Sequence, residues 1–307
     1  MSAPMKYDEV AFPSAGVECS GWHFTGQGDG LATAAGRRVV LMAHGLGGTK
    51  DSGLAPFAEA LAGAGLDVLA FDYRGFGASG GTPRQTVRMA DQLEDYRAAM
   101  AAAARLPGVD PHRLVLWGVS LAGGHVFMAA AQRSDVAAVV SLTPLVDGLA
   151  AGRHALASHR PTEILRSTLA GARSRASAAV GRPAVTMPVV GQPGELAALT
   201  LDGCYEDYLA LAGPTWGNEI DAAVGFELGN HRPGKVAKQL TCPVLVQIAD
   251  FDRSAPPQAS AKAAFDARAE VRHYPCDHFD VWPGKPWFDA AVAHQVAFLT
   301  RKLTPAR

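Results

Sequence analysis

A serine, an aspartate and a histidine occur in this order along the chain, each shortly after a predicted strand. Ser120 follows an apolar run at residues 114–117, and Asp252 and His278 follow two later strand signals. A serine hydroxyl is a weak nucleophile at neutral pH, so it needs a base within hydrogen-bonding distance and a carboxylate that orients the base. We interpret Ser120 as a nucleophile, His278 as its base and Asp252 as the orienting acid.

The residues around Ser120 indicate a tight turn between a strand and a helix. Residues 118–122 read Gly-Val-Ser-Leu-Ala, and a small-residue helical stretch is predicted at 121–132. Such a turn strains the serine backbone and requires small residues two positions to either side. Ala122 stands where the G-x-S-x-G pattern has its second glycine and adds only a methyl group. The pattern alone is equally typical of a helix start, so the later acid and base decide in favour of a nucleophile.

Two further motifs extend the pattern toward the N-terminus. His44 and Gly45 follow a strand predicted at 39–43, and residues 72–79 (Asp-Tyr-Arg-Gly-Phe-Gly-Ala-Ser) follow the next strand. With the serine turn and the late acid and base, they make the chain resemble the α/β-hydrolase superfamily of serine hydrolases over nearly its whole length except the middle. The resemblance implies an α/β fold with a mostly parallel sheet, helices on both faces and an inserted helical cap.

The resemblance also implies a substrate class and narrows the choice of acid. Asp252 is favoured because Pro256 follows it at the superfamily's spacing, while Asp250 and Asp147 remain alternatives. Residues 216–234 look similar to a branch of bacterial and fungal hydrolases and polyketide thiohydrolases, as does Ser20-Gly21-Trp22. We therefore expect hydrolysis of a carboxylic ester or a thioester through an acyl-enzyme on Ser120.

Two backbone amides are predicted to stabilise the negative oxygen of the tetrahedral intermediate. Leu121 N–H lies at the start of the helix after Ser120, and Leu46 N–H follows His44 and Gly45. Preorganised donors of this kind commonly contribute about 3 to 4 kcal/mol each to transition-state stabilisation. His44 itself is expected to brace the turn, and His273, inside a strand, is expected to be structural.

Four other charged residues receive supporting roles. Asp277 and Asp280 flank His278 and are expected to hold its loop, while Asp72 and Arg74 are expected to support the turn after the neighbouring strand. We assign none of them a chemical step.

Composition excludes several classes of partner. The 307 residues carry a net charge of −1 with no basic block, which disfavours nucleic acid and anionic membranes. No leader-like or membrane-spanning apolar run is found, so we expect a cytoplasmic protein. The glycines at 45–48 lack the later glycines of a dinucleotide loop, and we expect no cofactor. The four cysteines lack metal-ligand spacing, so we expect no metal and buried free thiols at Cys19, Cys204, Cys242 and Cys276.

Alternating apolar signals organise the chain into a core with one insertion. A hairpin is predicted from strands at 5–12 and 17–24 around a turn at 13–16. Strands are then expected at 39–43, 67–71, 114–117, 136–142, 244–248 and 271–274. Helices are expected to alternate with them at 54–64, 85–105, 121–132, 258–267 and 287–303. This alternation predicts a core at 1–143 and 241–307.

The residues from 144 to 240 interrupt the alternation and are predicted to form a helical cap. Helical patterns occur at 162–179 and 204–211, with prolines between them. A structureless loop of this length would be improbable in a compact domain. Its aromatic residues could line a substrate pocket, although we favour a role in the cap's own core for most of them: Tyr205, Tyr208, Trp216 and Phe226.

Three other functions stay open at this point. An acyltransferase would use the same three residues with an alcohol or amine as acceptor, and a proline-type peptidase is possible. A non-catalytic binding protein of this fold is disfavoured because Ser120, Asp252 and His278 are all present. The partner expected in the leading interpretation is a small-molecule ester or thioester.

Overall fold

A computed structural model describes residues 6–304 of the chain. Its strands are β1 (Asp8–Ser14), β2 (Val17–Phe24), β3 (Val39–Ala43), β4 (Asp67–Phe71), β5 (Leu114–Val119), β6 (Val136–Leu142), β7 (Thr186–Met187), β8 (Ile220–Asp221), β9 (Val244–Ala249) and β10 (Glu270–Tyr274). Eight of them form one sheet in the order β1-β2-β4-β3-β5-β6-β9-β10. β2 pairs antiparallel with β1 and with β4, and every other neighbouring pair is parallel. The predicted mostly parallel sheet is thereby confirmed.

The central strands are apolar because both faces of the sheet are covered. Every residue of β3, β4, β5, β6 and β9 is buried. Strands buried on both faces have continuous apolar runs rather than alternating ones, which is the pattern that located them in the sequence. The helices are α1 (Ala55–Gly63), α2 (Met89–Ala103), α3 (Leu121–Ala130), α4 (Gly148–Ser158), α5 (Pro161–Ala179), α6 (Cys204–Leu211), α7 (Val224–Asn230), α8 (Pro257–Asp266) and α9 (Phe288–Leu303).

Two predicted boundaries are wrong for reasons of backbone conformation. The helix predicted at 85–105 begins only at Met89, because Gln85 has a φ of 57° and Arg88 is extended. The hairpin turn predicted at 13–16 is shorter, because Pro13 and Ser14 belong to β1. Proline is tolerated there since β1 lies at the edge of the sheet. The first predicted strand began at Met5, which lies outside the described residues.

Residues 144–240, called the inserted segment below, lie between β6 and β9. They contain α4, α5, α6, α7, the two-stranded pair β7 and β8, and a 3₁₀ helix at Pro233–Gln239. The helices at α5 and α6 agree with the sequence-based expectation. Sequence reasoning missed α4 and α7, which are short and carry two glycines each.

The cysteines are free thiols, and burial raises their pKa. Cys19, Cys204 and Cys276 are buried as predicted, whereas Cys242 is half-buried. Burial raises the pKa of the Cys204 and Cys242 thiols to about 11. Within residues 6–304, no helix has the length and apolarity needed to cross a membrane. The same residues contain no cluster of three or more His, Cys, Asp or Glu suited to a metal ion.

Candidate active site

Ser120 occupies the turn between β5 and α3 in a strained conformation. Its φ is 56° and its ψ is −116°, a region that residues other than glycine rarely adopt. A Cβ on Gly118 would lie 2.2 Å from the Ala122 carbonyl oxygen, so glycine is required there. Ser120 N–H donates to the Leu142 carbonyl at 2.9 Å, which fixes the turn against β6.

His278 and Asp252 form a buried pair on the loops after β10 and β9. His278 Nδ1 lies 2.7 Å from Asp252 Oδ2, and the two residues are 5% and 3% exposed. The other carboxylate oxygen of Asp252 accepts hydrogen bonds from Ser254 N–H at 2.8 Å and Ala255 N–H at 2.6 Å. The carboxylate is therefore held in one orientation, and Nδ1 of His278 is the nitrogen that carries the proton toward it.

The pair changes the proton affinity of the imidazole. Burial by itself lowers the pKa of His278, but the negative charge of Asp252 and the hydrogen bond to it raise the pKa further than burial lowers it. Asp277 contributes in the same direction. The net result is a His278 pKa above its ordinary value of 6.5.

Asp277 and Asp280 hold the His278 loop, as expected from the sequence. Asp277 Oδ1 accepts a hydrogen bond from His278 N–H at 2.8 Å, and Asp280 Oδ2 accepts one from Asp277 N–H at 2.9 Å. Arg253 forms an ion pair with the other oxygen of Asp277 at 2.5 Å. This network connects the loop of the base with the loop of the acid.

The two alternative aspartates have other partners. Asp250 Oδ1 lies 2.6 Å from Nδ1 of His273, a residue at the end of β10 that is exposed rather than buried. Asp147 caps the N-terminus of α4 by accepting from Leu149 N–H at 2.9 Å and Ala150 N–H at 3.1 Å. Of the three candidates, only Asp252 contacts His278.

His44 is held inside the turn after β3. Its Nε2–H donates to the Ser52 carbonyl at 2.9 Å, and its ring stacks on Trp282 with centroids 5.0 Å apart. Burial lowers the pKa of His44 to about 4, so the ring is neutral at physiological pH. This contact agrees with the bracing role expected from the sequence.

The two predicted oxyanion donors border the same cavity as Ser120 and His278. Leu46 and Leu121 both line it. Leu121 is the first residue of α3, so its N–H has no partner within the helix. Neither amide donates a hydrogen bond to another group in residues 6–304. Gly45 approaches Ser120 so closely that a Cβ would lie 2.8 Å from the serine Cβ.

The charged residues after β4 support the neighbouring turn. Asp72 accepts from Lys50 Nζ at 2.7 Å and from Ala78 N–H at 3.0 Å. Arg74, which is half-buried, forms an ion pair with the buried Asp95 at 2.7 Å. Both contacts agree with the supporting role expected from the sequence, although the partners Lys50 and Asp95 were not foreseen.

Two aromatic residues of the inserted segment contact the loop that carries Leu46. The Tyr208 hydroxyl donates to the Leu46 carbonyl at 2.7 Å, and Trp216 Nε1–H donates to the Gly47 carbonyl at 3.1 Å. Neither residue lines the cavity. Their side chains therefore do not line the pocket. They are also not confined to the interior of the inserted segment, because they bond to the loop that carries Leu46. No sequence signal could have found the first contact, because its residues are 162 positions apart.

The cavity beside Ser120 is about 250 Å³ in volume and largely apolar. The sheet side contributes Leu46, Ser120, Leu121, Arg253, Ser254 and His278. The inserted segment contributes Leu145, Gly148, Ala151, Gly152, Ala155, His159, Ala198, Leu199, Thr200, Leu201, Gly225, Leu228 and Gly229. A concave apolar site with a few convergent polar groups is typical of small-molecule binding.

Comparison with known proteins gives consistent results. Residues 38–285 match the family model described as the alpha/beta hydrolase fold. The quorum-quenching protein AidA of Acinetobacter baumannii is 33% identical over 296 residues, covering 95% of this chain and 94% of that protein. Thiohydrolase aneE of Aspergillus aculeatus is 31% identical over 189 residues, covering 61% of this chain and 57% of that protein.

Solved structures of low sequence identity share the fold. The structure of DcsB in complex with its substrate analogue has a TM-score of 0.77 at 21% identity, covering 98% of this chain and 100% of that one. The α/β hydrolase GrgF from Penicillium sp. sh18 also has a TM-score of 0.77 at 21% identity, covering 97% and 99%.

Proposed function

The chain belongs to the α/β-hydrolase fold family, and from this membership we propose that it is a serine hydrolase that cleaves a carboxylic ester or a thioester. One observation carries the proposal: His278, which is paired with the buried Asp252, borders the same cavity as a serine on a strained turn. In this proposal Ser120 is the nucleophile, His278 the base and Asp252 the orienting acid.

The reaction begins when Ser120 Oγ attacks the acyl carbon and its proton passes to His278 Nε2. Asp252 holds the Nδ1–H and stabilises the imidazolium that forms. The N–H groups of Leu46 and Leu121 donate to the oxyanion of the tetrahedral intermediate. Collapse of the intermediate breaks the bond to the leaving group, which takes the proton from His278 and departs as an alcohol or a thiol.

The second half of the reaction uses the same groups. A water molecule gives a proton to His278 and attacks the acyl-enzyme, and the oxyanion again lies between the two amides. Collapse breaks the ester bond to Ser120, which recovers its proton from His278 as the carboxylic acid leaves. An alcohol or amine in place of water would give acyl transfer.

We also assign the inserted segment the role of a cap on a core at 1–143 and 241–307. Its residues supply most of the cavity wall, whereas the sheet side supplies Ser120 and His278, with Asp252 behind His278. Relatives named thiohydrolases support a thioester as one substrate class. The expected partner is accordingly a small acyl compound.

Covalent labelling tests the proposal directly. The protein is treated with a fluorophosphonate, digested, and the labelled peptide is mapped by mass spectrometry. We expect label on Ser120 and on no other serine, and turnover of chromogenic esters and acyl thioesters of graded length. Label on Ser254, which borders the same cavity, would move the nucleophile there. Absence of label on folded protein would contradict a serine hydrolase.

A further inference from the structure

Part of the cavity wall is built by α4 and α7, whose backbones approach closely at one point. A Cβ on Gly148 would lie 1.6 Å from the Leu228 carbonyl oxygen, and Gly148 N–H donates to the His231 carbonyl at 2.8 Å. No larger residue fits at this position without moving a helix. Glycine at 148 is thus explained by the close approach of the two backbones.

Three other glycines on the same helices have no such explanation. Gly152, Gly225 and Gly229 also line the cavity, and a Cβ on any of them would meet no heavy atom within 4 Å outside its own chain neighbours and helix backbone. Their φ angles lie outside the positive range that favours glycine. Glycine inside a helix is less stable than alanine, so helix formation does not favour these residues. Gly152 and Gly225 are exposed and Gly229 is half-buried, so the space that their lack of a side chain leaves open lies on the solvent-accessible side of the cavity.

The open space has the dimensions of an acyl chain. A methylene group is about the size of a water molecule, and a cavity of about 250 Å³ has room for many water molecules, so an acyl chain of several carbons fits. Leucine side chains supply the apolar contact at Leu145, Leu199, Leu201 and Leu228. An unbranched aliphatic chain matches this lining because every one of its groups gains by leaving water.

A polar pair borders the cavity at the other end of α4. The helix begins near the nucleophile, since Leu145 N–H donates to the Ser120 carbonyl at 2.8 Å. At its C-terminus, His159 Nδ1–H donates to the Ala155 carbonyl at 3.0 Å, and Thr200 Oγ1–H donates to His159 Nε2 at 3.1 Å. An aliphatic chain that reached this pair would press against polar atoms, so chain length is limited there.

We propose that Gly152, Gly225 and Gly229 keep this pocket open for an unbranched acyl chain of several carbons, and thereby determine substrate selectivity. The inference rests on the proposed hydrolase function, because the acyl chain is placed relative to Ser120. It makes the three glycines specificity-determining residues that take no part in bond making or breaking.

Leucine substitutions test the proposal, with a matched control on another helix. Gly152→Leu and Gly225→Leu add a leucine side chain at the cavity wall, whereas Gly63→Leu adds the same side chain to open space at the end of α1, outside the cavity. The ratio of kcat/KM for p-nitrophenyl octanoate to that for the acetate should fall about 100-fold in the first two variants, as expected when three to four methylenes are excluded. The ratio should be unchanged in Gly63→Leu.

Stability is measured in parallel by thermal unfolding. Gly152→Ala and Gly225→Ala should raise the melting temperature through helix propensity while lowering the octanoate-to-acetate ratio less than leucine does. If glycine at these positions had no role in selectivity, both alanine variants would be more stable than the unmodified protein and would keep its octanoate-to-acetate ratio of kcat/KM. An unchanged ratio in the folded leucine variants would overturn the proposal.

A binding measurement separates this inference from the proposed function. Octanoate is titrated calorimetrically into Ser120→Ala and into Ser120→Ala combined with Gly225→Leu. Weaker binding to the double variant supports the pocket even if fluorophosphonate fails to label Ser120 in the unmodified protein, which would overturn only the hydrolase mechanism. Label on Ser120 together with equal octanoate binding would overturn the pocket and leave the hydrolase proposal intact.

Discussion

On the sheet side of the cavity glycines lie where the backbone is crowded, whereas in the inserted segment three of them border open space. Gly118 and Gly45 leave no room for a Cβ beside Ser120. Gly152 and Gly225, on α4 and α7, leave room that no protein atom fills. Glycine therefore permits a close backbone approach beside Ser120 on one side of the cavity and leaves open space on the other.

Burial differs between the two regions in the same way. All residues of β5 and β6 are buried, while Gly148 is the only buried residue of α4. Leu156 and Leu165 of the inserted segment are 62% and 58% exposed. Changes within the buried strands should therefore affect chemistry and stability together, and changes at the open glycines of α4 and α7 should affect selectivity with only small changes in stability.

The largest effect is expected for substitution of Ser120. If turnover did not fall, the contrast between a reactive sheet side and a selective inserted segment would be wrong. Ser120→Ala should lower kcat/KM for every ester by about 10³- to 10⁶-fold, because the covalent step is lost. Thermal unfolding and circular dichroism should match the unmodified protein. Substantial remaining turnover would show that the sheet side does not hold the nucleophile.

The second effect concerns the orienting acid. Asp252→Asn should lower kcat by about 10⁴-fold, because the amide no longer holds the imidazole in the required tautomer. Asp250→Asn is the matched control two residues away and should change kcat by about twofold or less, since its partner His273 lies outside the cavity. Equal losses in both variants would transfer the role to Asp250.

The pH dependence of kcat/KM tests the His278–Asp252 pair through a smaller effect on activity. His278 must be neutral to act as a base, so kcat/KM should rise tenfold per pH unit and level off above an apparent pKa higher than 6.5. In Asp252→Asn, burial acts without the opposing charge, so the rising limb should move to lower pH. If the rising limb of the pH profile does not move, the observed titration belongs to a group other than His278.

The same raised pKa affects folding stability with a defined sign. The folded state binds the His278 proton more tightly than the unfolded state, so this contribution to stability is fully present below pH 6.5. It is lost as the pH rises through the folded-state pKa. Denaturant titrations across this range, compared with Asp252→Asn, measure the contribution.

The smallest effect on activity is expected at the contact between the inserted segment and the sheet side. Tyr208→Phe removes the donor to the Leu46 carbonyl, a hydrogen bond with a net value of about 0.5 to 1.5 kcal/mol, so kcat should fall about two- to tenfold with KM unchanged. Tyr205→Phe on the same helix is the control, because the Tyr205 hydroxyl has no hydrogen bond within residues 6–304. A loss of stability with unchanged kcat would make Tyr208 purely structural.

Much of the core could be predicted from local sequence patterns. The bounds of β3, β4 and β6 match the predicted runs, because a strand buried on both faces is a continuous apolar segment. The strained turn at Ser120 was also predictable, since small residues at fixed spacing around a serine are a local requirement. Glycine-containing α4 and α7 were missed, because short helices of low propensity form only through their packing against each other.

The tertiary structure decided which distant residues meet. The sequence left Asp252, Asp250 and Asp147 as alternatives, and the fold brings only Asp252 within 2.7 Å of His278. The role of this pair in catalysis stays a prediction, but its geometry depends on loop conformations after two different strands. Likewise, spacing could not reveal the contact of Tyr208 with Leu46 or the open space beside Gly225. Local physics determines strands and turns, whereas contacts between remote segments exist only once the chain is packed.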